Sequence, residues 1–174
     1  MRKALYFLGI LNDSDIDWLI AAGHRREVGA GVRLIDEGVP IDSVYLVIDG
    51  AFSVHVAALG AREVARLMSG EVMGEMSFVD STLPSATVSA VERSFVLAIP
   101  RRRLTAKLAE DEGFASRFYR AMSMFLADRL RTTTASFASG GASEGLSEMD
   151  FDALDNVAVA GARFDWIQKR LRSA

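Results

Sequence analysis

The sequence predicts a mainly β fold, a small barrel or roll with helices at both ends. Three observations carry that prediction. Residues 25–100 hold many short β-rich runs separated by glycine turns. The periodicity on either side of them is helical. The composition is globular: half of the 174 residues are apolar and a quarter are charged, which gives one domain with a proper core and an appended segment.

The elements follow in order. Met1-Arg2-Lys3 and the apolar run from Ala4 to Leu11 have the outline of a short signal peptide. Asp13, Asp15 and Asp17 follow at once, with no small-residue cleavage site before them, so the run reads as an N-terminal helix packed on the domain. Asn12, Asp13 and Ser14 offer N-cap oxygens for a second helix. Ile16, Leu19 and Ile20 line one face of it and Gly23 stops it. From Glu27 the runs shorten. Ser43 to Ile48 reads as a strand, Asp49-Gly50 as a hairpin turn, and Phe52, Val54 and Val56 as the return strand. Val64 to Met68, Thr87 to Val91 and Ser94 to Ile99 complete the set. Beyond Pro100, Arg101 to Glu110 is a short helix and Phe114 to about Phe137 a long one, with Phe114, Phe118, Met122, Phe125, Leu126 and Leu130 in a stripe. A Ser/Gly-rich linker spans 138–148. Residues 149–174 carry Leu154, Val157, Gly161, Phe164, Ile167 and Leu171 at helical steps, an amphipathic tail for this subunit or a neighbour.

Composition narrows function. The net charge of −3 does not suit a generic polyanion binder. With no cysteine there is no disulfide, thiol nucleophile or Cys-based zinc site, which fits a cytoplasmic setting. No apolar stretch is long enough to span a bilayer. His24 and His55 are too few for a metal cluster and read as ordinary surface or loop histidines. Asp13, Asp15 and Asp17 alternate as in a calcium loop but lack its glycine and terminal glutamate, so helix capping is the better reading. Arg101-Arg102-Arg103 reads as a solvated helix start, and Met68, Met73, Met76, Met122 and Met124 as core or helix seam. No P-loop or nucleophile elbow is present, so no enzyme and no cofactor are expected. The mean hydropathy of +0.18 is high for a soluble chain and points to apolar surface buried in an oligomer.

The segment with chemistry is Gly70 to Ala90. Gly74-Glu75 opens a short helical stretch to Val79, and a new strand starts at Ala86-Thr87-Val88. Free amides at a helix start, a glycine that permits close approach and the hydroxyls of Ser77, Ser85 and Thr87 suit an anion. This segment resembles the phosphate-binding cassette of cyclic-nucleotide-binding domains, in which Gly-Glu is followed by apolar residues, a turn and Arg-(Ala/Ser/Thr)-Ala-(Thr/Ser)-Val. Gly38 and Asp49-Gly50 also fall where such domains place turn glycines. The resemblance covers roughly Leu8 to Phe137, and with it residues 1–137 read as one domain.

The resemblance implies a double-stranded β-helix or jelly roll with C-terminal helices, acting as a regulatory module for cAMP, cGMP or a related small anion. It implies that Glu75 accepts a hydrogen bond from the ribose 2′-hydroxyl. The amides of Gly74, Met76, Ser85 and Ala86 and the Ser85 hydroxyl would line the phosphate, with Ser77 and Thr87 as further hydroxyls. Residues of the long helix would lie near the purine. One position departs from the pattern: Pro84 stands where the family has its phosphate-binding arginine. Losing that charge-assisted contact costs about 2–4 kcal/mol, roughly thirty- to thousandfold in affinity. Arg62, Arg66 and Arg93 are candidates to replace it. The alternative is a domain that binds no nucleotide and serves as an interaction module. The apolar balance and the family's habit together predict a homodimer through residues 114–137. The tail is the candidate contact for a protein partner. After Phe137 there is no room for a DNA-reading domain.

Overall fold

The computed structural model describes residues 7–60, 62–138 and 151–172, with side chains described except at 135–138 and 151–157. Helix α1, described over 7–10, and α2 (Asp13–Ala22) lead into β1 (His24–Val28), β2 (Arg33–Ile35), β3 (Ser43–Asp49) and β4 (Ala51–Val56). A 3-10 turn (Ala57–Leu59), β5 (Arg62–Met68), β6 (Val72–Met73) and α3 (Glu75–Asp80) follow. The chain closes with β7 (Thr87–Ala90), β8 (Ser94–Pro100), α4 (Arg101–Glu110), α5 (Glu112–Ala138) and α6 (Phe151–Arg172). The strands form two antiparallel four-stranded sheets in the orders β1-β8-β3-β6 and β2-β7-β4-β5. This is the β-roll with flanking helices that the sequence predicts.

The roll has two cores because its first sheet is covered on both faces. Tyr45, Val47, Val96 and Ala98 face Phe52, Leu67, Val88 and Ala90 of the second sheet. Val44, Leu46, Ile48, Leu97 and Ile99 face the helices, against Leu8, Ile16, Leu19, Leu104, Phe114 and Phe118. That is why β3 reads Ser-Val-Tyr-Leu-Val-Ile, a run without alternation: all six residues are buried. The second sheet is wet outside. Its edge strand β5 exposes every residue but Leu67 and carries Arg62, Glu63 and Arg66, charges that discourage edge-to-edge pairing.

Asp49-Gly50 corrects the hairpin reading. β3 and β4 do not pair with each other; β3 pairs with β6 and β8, and β4 with β5 and β7. The turn is a corner at which the chain leaves one sheet for the other. Local turn chemistry is the same in both cases, and only the distant partners distinguish them.

The long-helix stripe also lands differently from expectation. Phe114, Phe118, Met122 and Phe125 are buried within this subunit, with Phe118 in edge contact with Phe7 and Phe78. They are consumed by the chain's own core. Leu130 is exposed, as are Tyr119 and Met124 on other faces. Of the methionines read as core or seam, Met73 and Met122 are buried, whereas Met68, Met76 and Met124 are exposed.

Helix α6 docks on this subunit. Ala160, Phe164, Ile167 and Leu171 enter the helical core. Arg163 donates to the Leu8 and Gly9 carbonyls and to Asp13, and Gln168 donates to the Ile48 carbonyl. The expected linker lies outside the described residues except for Ala138, and so do the side chains of Leu154 and Val157. No described helix is long and apolar enough to cross a membrane.

Of the three aspartates Asp15 caps α2, as expected, whereas Asp13 accepts from Arg163 and Asp17 from Trp166 of α6. Asn12 and Asp15 form a reciprocal capping box at 2.9 Å each way, and Arg117 of α5 grips Asp15 with two donors at 2.6 and 2.9 Å. Burial pushes the Asp15 carboxyl up, but the Arg117 and Asn12 hydrogen bonds outweigh it and hold the group below its ordinary value. A depressed folded pKa contributes stability above the ordinary carboxylate range that is lost as pH falls through the folded value. Asp15→Asn is therefore expected to cost about 2 kcal/mol at neutral pH in urea denaturation. The gap from the native protein should close in acid.

Candidate functional site

The cassette is built at the join of β6 and α3. Gly74 sits at φ +80, a left-handed conformation that favours glycine, and a Cβ there would press on the movable end of the Ile41 side chain at 2.6 Å. The left-handed turn aims Glu75 inward rather than toward solvent. Glu75 is 2% exposed and is bound by Arg129 of α5. Arg129 also donates to the Val72 carbonyl at 3.3 Å and lies 4.7 Å over the Phe125 ring. Burial pushes the Glu75 carboxyl above its ordinary range, against the pull of the guanidinium.

The rest of α3 is tied down by α4. Arg101 donates to the Ser77 carbonyl at 2.8 Å and lies 5.6 Å from the Phe78 ring centre. The arginine run is thus more than a solvated helix start, because Arg103 also caps α2 through the Ala22 carbonyl at 2.9 Å. Ser77 is buried, while Met76, Val79 and Leu83 are exposed on the outer side of the cassette.

The returning strand divides the remaining candidates. Pro84 is buried, and its carbonyl accepts from the Gly38 amide at 2.8 Å, which ties the cassette to the turn after β2. Ser85 is exposed and Ala86 half-buried. Thr87 Oγ1 accepts from the Glu37 amide at 3.1 Å, and Thr87 lines a groove on the outside of the second sheet with Arg33, Glu37 and His55. Val88, next along the strand, points into the roll core. The structure therefore gathers Gly74, Glu75 and Ser77 around Arg129 and Arg101, and it directs Thr87 to the other face of β7.

The cations proposed to replace the missing arginine are elsewhere. Arg66 pairs with Glu63 and Arg93 with Glu27, while Arg62 is exposed at the start of β5. Among the described residues Arg129 and Arg101 contact the cassette; Arg101 was noticed from sequence only within the basic run read as a solvated helix start, and Arg129 was not singled out. A signal for Arg129 does exist: it falls one helical step beyond Phe125, so it continues the buried stripe as a charge on an apolar face. Among the described residues no group of histidines and carboxylates is placed to hold a metal ion.

Comparison with known proteins supplies the family. The model of the cyclic nucleotide-binding domain matches residues 25–111, half of the chain. An NTE family protein of Mycobacterium tuberculosis, described as uncharacterized, is 32% identical over 137 residues, which are 77% of this chain and 23% of that protein. The chain thus spans about a quarter of the length of the curated relatives it matches. Among solved structures, a cyclic nucleotide-binding domain from Methylobacillus flagellatus superposes with a TM-score of 0.72 at 19% identity, covering 82% of this chain and 84% of its own. The catabolite activator protein of Thermus thermophilus does so with a TM-score of 0.62 at 23% identity, covering 94% and 83%. Both share this two-sheet roll, and the chain belongs to the cyclic nucleotide-binding domain family.

Proposed function

We propose that the chain is a non-catalytic sensing module whose cassette at residues 74–87 takes a cyclic nucleotide or a related small anion and reports its presence through α5. The observation that carries this reading is the Glu75–Arg129 pair, which joins the cassette directly to the long helix. A ligand hydroxyl that competes for Glu75 must displace or share Arg129. Occupancy and the position of α5 are then coupled, as a population shift requires. The finer assignments of Gly74, Met76, Ser85 and Ala86 to the phosphate and of Glu75 to a ribose belong to this proposal.

Calorimetric titration with cAMP, cGMP and adenosine tests it. The native protein is expected to bind the cyclic nucleotides weakly. Pro84→Arg is expected to tighten them by about thirtyfold or more while leaving adenosine unchanged, because the added guanidinium reads only phosphate. The second reading, an interaction module without a nucleotide, is favoured by one fact: Glu75 is already paired with Arg129 inside the protein. No heat from either the native protein or Pro84→Arg decides for that reading. Dimerisation belongs here too, now through exposed positions such as Leu130 rather than the buried stripe. Equilibrium sedimentation is expected to show a dimer that Leu130→Glu weakens.

A further inference from the structure

On the side of the first sheet that the helices cover, β1, the start of β8 and the last turn of α6 enclose a cleft of about 760 Å³. It shares none of its lining with the cassette. Its apolar part is Phe95, Ile20 and Leu171. Around it stand three guanidinium groups, Arg25, Arg93 and Arg170, against a single carboxylate, Glu27. That balance runs against the chain's net charge of −3.

The three arginines are not equivalent. Arg93 is committed to Glu27, with two donors at 2.6 and 3.0 Å. Arg25 lies 4.1 Å over the Phe95 ring, which Arg93 also approaches at 5.3 Å, and Arg170 lies 5.7 Å from the Trp166 ring centre. Neither lies within ion-pair distance of a described carboxylate, although the Arg25 charge also acts on Glu27. An aromatic face positions a guanidinium without using its in-plane N–H donors. Two cations held by aromatic rings therefore line one partly apolar cleft, an arrangement that suits a carboxylate or phosphate monoester carried on an apolar body.

We propose that this cleft binds such an amphiphilic anion, its acidic head between Arg25 and Arg170 and its body against Ile20 and Leu171. Since Arg25 belongs to the roll and Arg170 to α6, the ligand clamps the tail helix to the domain. The site is separate from the cassette and stands or falls independently of it.

Octyl phosphate below its micellar concentration is the probe, titrated into the full chain and followed by calorimetry and by the fluorescence of Trp166. One molecule is expected to bind per chain. Inorganic phosphate, which has the head alone, and octyl glucoside, which has the tail alone, are expected to bind at least tenfold more weakly. Arg25→Gln combined with Arg170→Gln is expected to lower octyl phosphate affinity at least tenfold. Both side chains are exposed, so the melting temperature should stay within a degree or two of the native value. Arg170→Glu alone is a second variant with the same expected loss. Bound octyl phosphate should also slow amide exchange across 160–172. Equal affinity of the native and double-variant proteins, equal affinity for octyl glucoside or for phosphate alone, or binding seen only with phosphatidylglycerol vesicles each overturns the proposal.

Discussion

Replacing Arg129 by methionine is expected to lower the unfolding free energy by about 3–5 kcal/mol at neutral pH. Methionine keeps the apolar stem against Phe125 but removes the cation from a carboxylate that is 2% exposed. A buried ion with no partner is far costlier than the pair was worth, so the effect measures the orphaned Glu75 and not the strength of a salt bridge. The loss of the donor to the Val72 carbonyl adds about 1 kcal/mol. The pH dependence identifies the cause. Burial already holds the Glu75 carboxyl above its ordinary value, and removing Arg129 takes away the group that pulled it down. A raised folded pKa means that the native state keeps its proton where the unfolded chain has lost it, so stability falls as pH rises through that window and returns as pH falls. Urea denaturation of Arg129→Met should therefore show a protein that grows more stable on mild acidification. Adding Glu75→Gln should recover most of the loss at neutral pH. If the double variant is no more stable than Arg129→Met, the carboxylate is not the source of the instability, and the account of the cassette as a buried charge pair fails with it.

Gly50→Ala is expected to cost about 3–5 kcal/mol, for reasons that have nothing to do with charge. The residue has φ +95, and a Cβ there would lie 2.1 Å from Ser94 Oγ and 2.8 Å from Ser94 Cα. The hydroxyl could rotate away, but the backbone atom cannot. Ser94 is itself fully buried, with its hydroxyl donating to the Glu92 carbonyl at 2.8 Å and accepting from the Ala51 amide at 3.3 Å. The added methyl thus meets strain at its own backbone and overpacking at the strand opposite. Gly38→Ala separates the two effects. Its φ is +74, yet nothing lies within 4 Å of the added carbon, so only the conformational part remains, about 1–2 kcal/mol. Thermal melts that show equal losses at both positions would remove the steric part of the argument.

The sequence made local features legible and left partnerships hidden. Arg101–Glu110, bounded by a proline and followed by a new apolar period, was readable to the residue. So were the capping role of Asn12 and Asp15 and the glycine turn that opens the cassette. Each of these is decided within one turn of chain. Asp49-Gly50 was readable as a turn and unreadable as a corner, because the choice depends on β6 and β8 for one strand and β5 and β7 for the other. The Phe114–Phe125 stripe announced a buried face without naming what buries it, and the chain's own sheet and N-terminal helices proved sufficient. Arg129 and Glu75 are 54 residues apart, beyond the reach of any spacing rule. In the cassette, β7 begins only at Thr87, whose hydroxyl accepts from the Glu37 amide while the adjacent Val88 points into the roll core, a division of faces set by strand partners distant in sequence.

Strand β3 is a wall shared by both cores: Leu46 looks toward the helices, and the adjacent Val47 looks into the roll. A wall held in common makes it hard for either half to melt alone, since loosening one side removes the backing of the other. The expected consequence is a single transition seen by every probe. Trp18, packed on the helical side at 5.3 Å from the Phe114 ring, should report the unfolding of the roll as faithfully as the sheets' own circular dichroism.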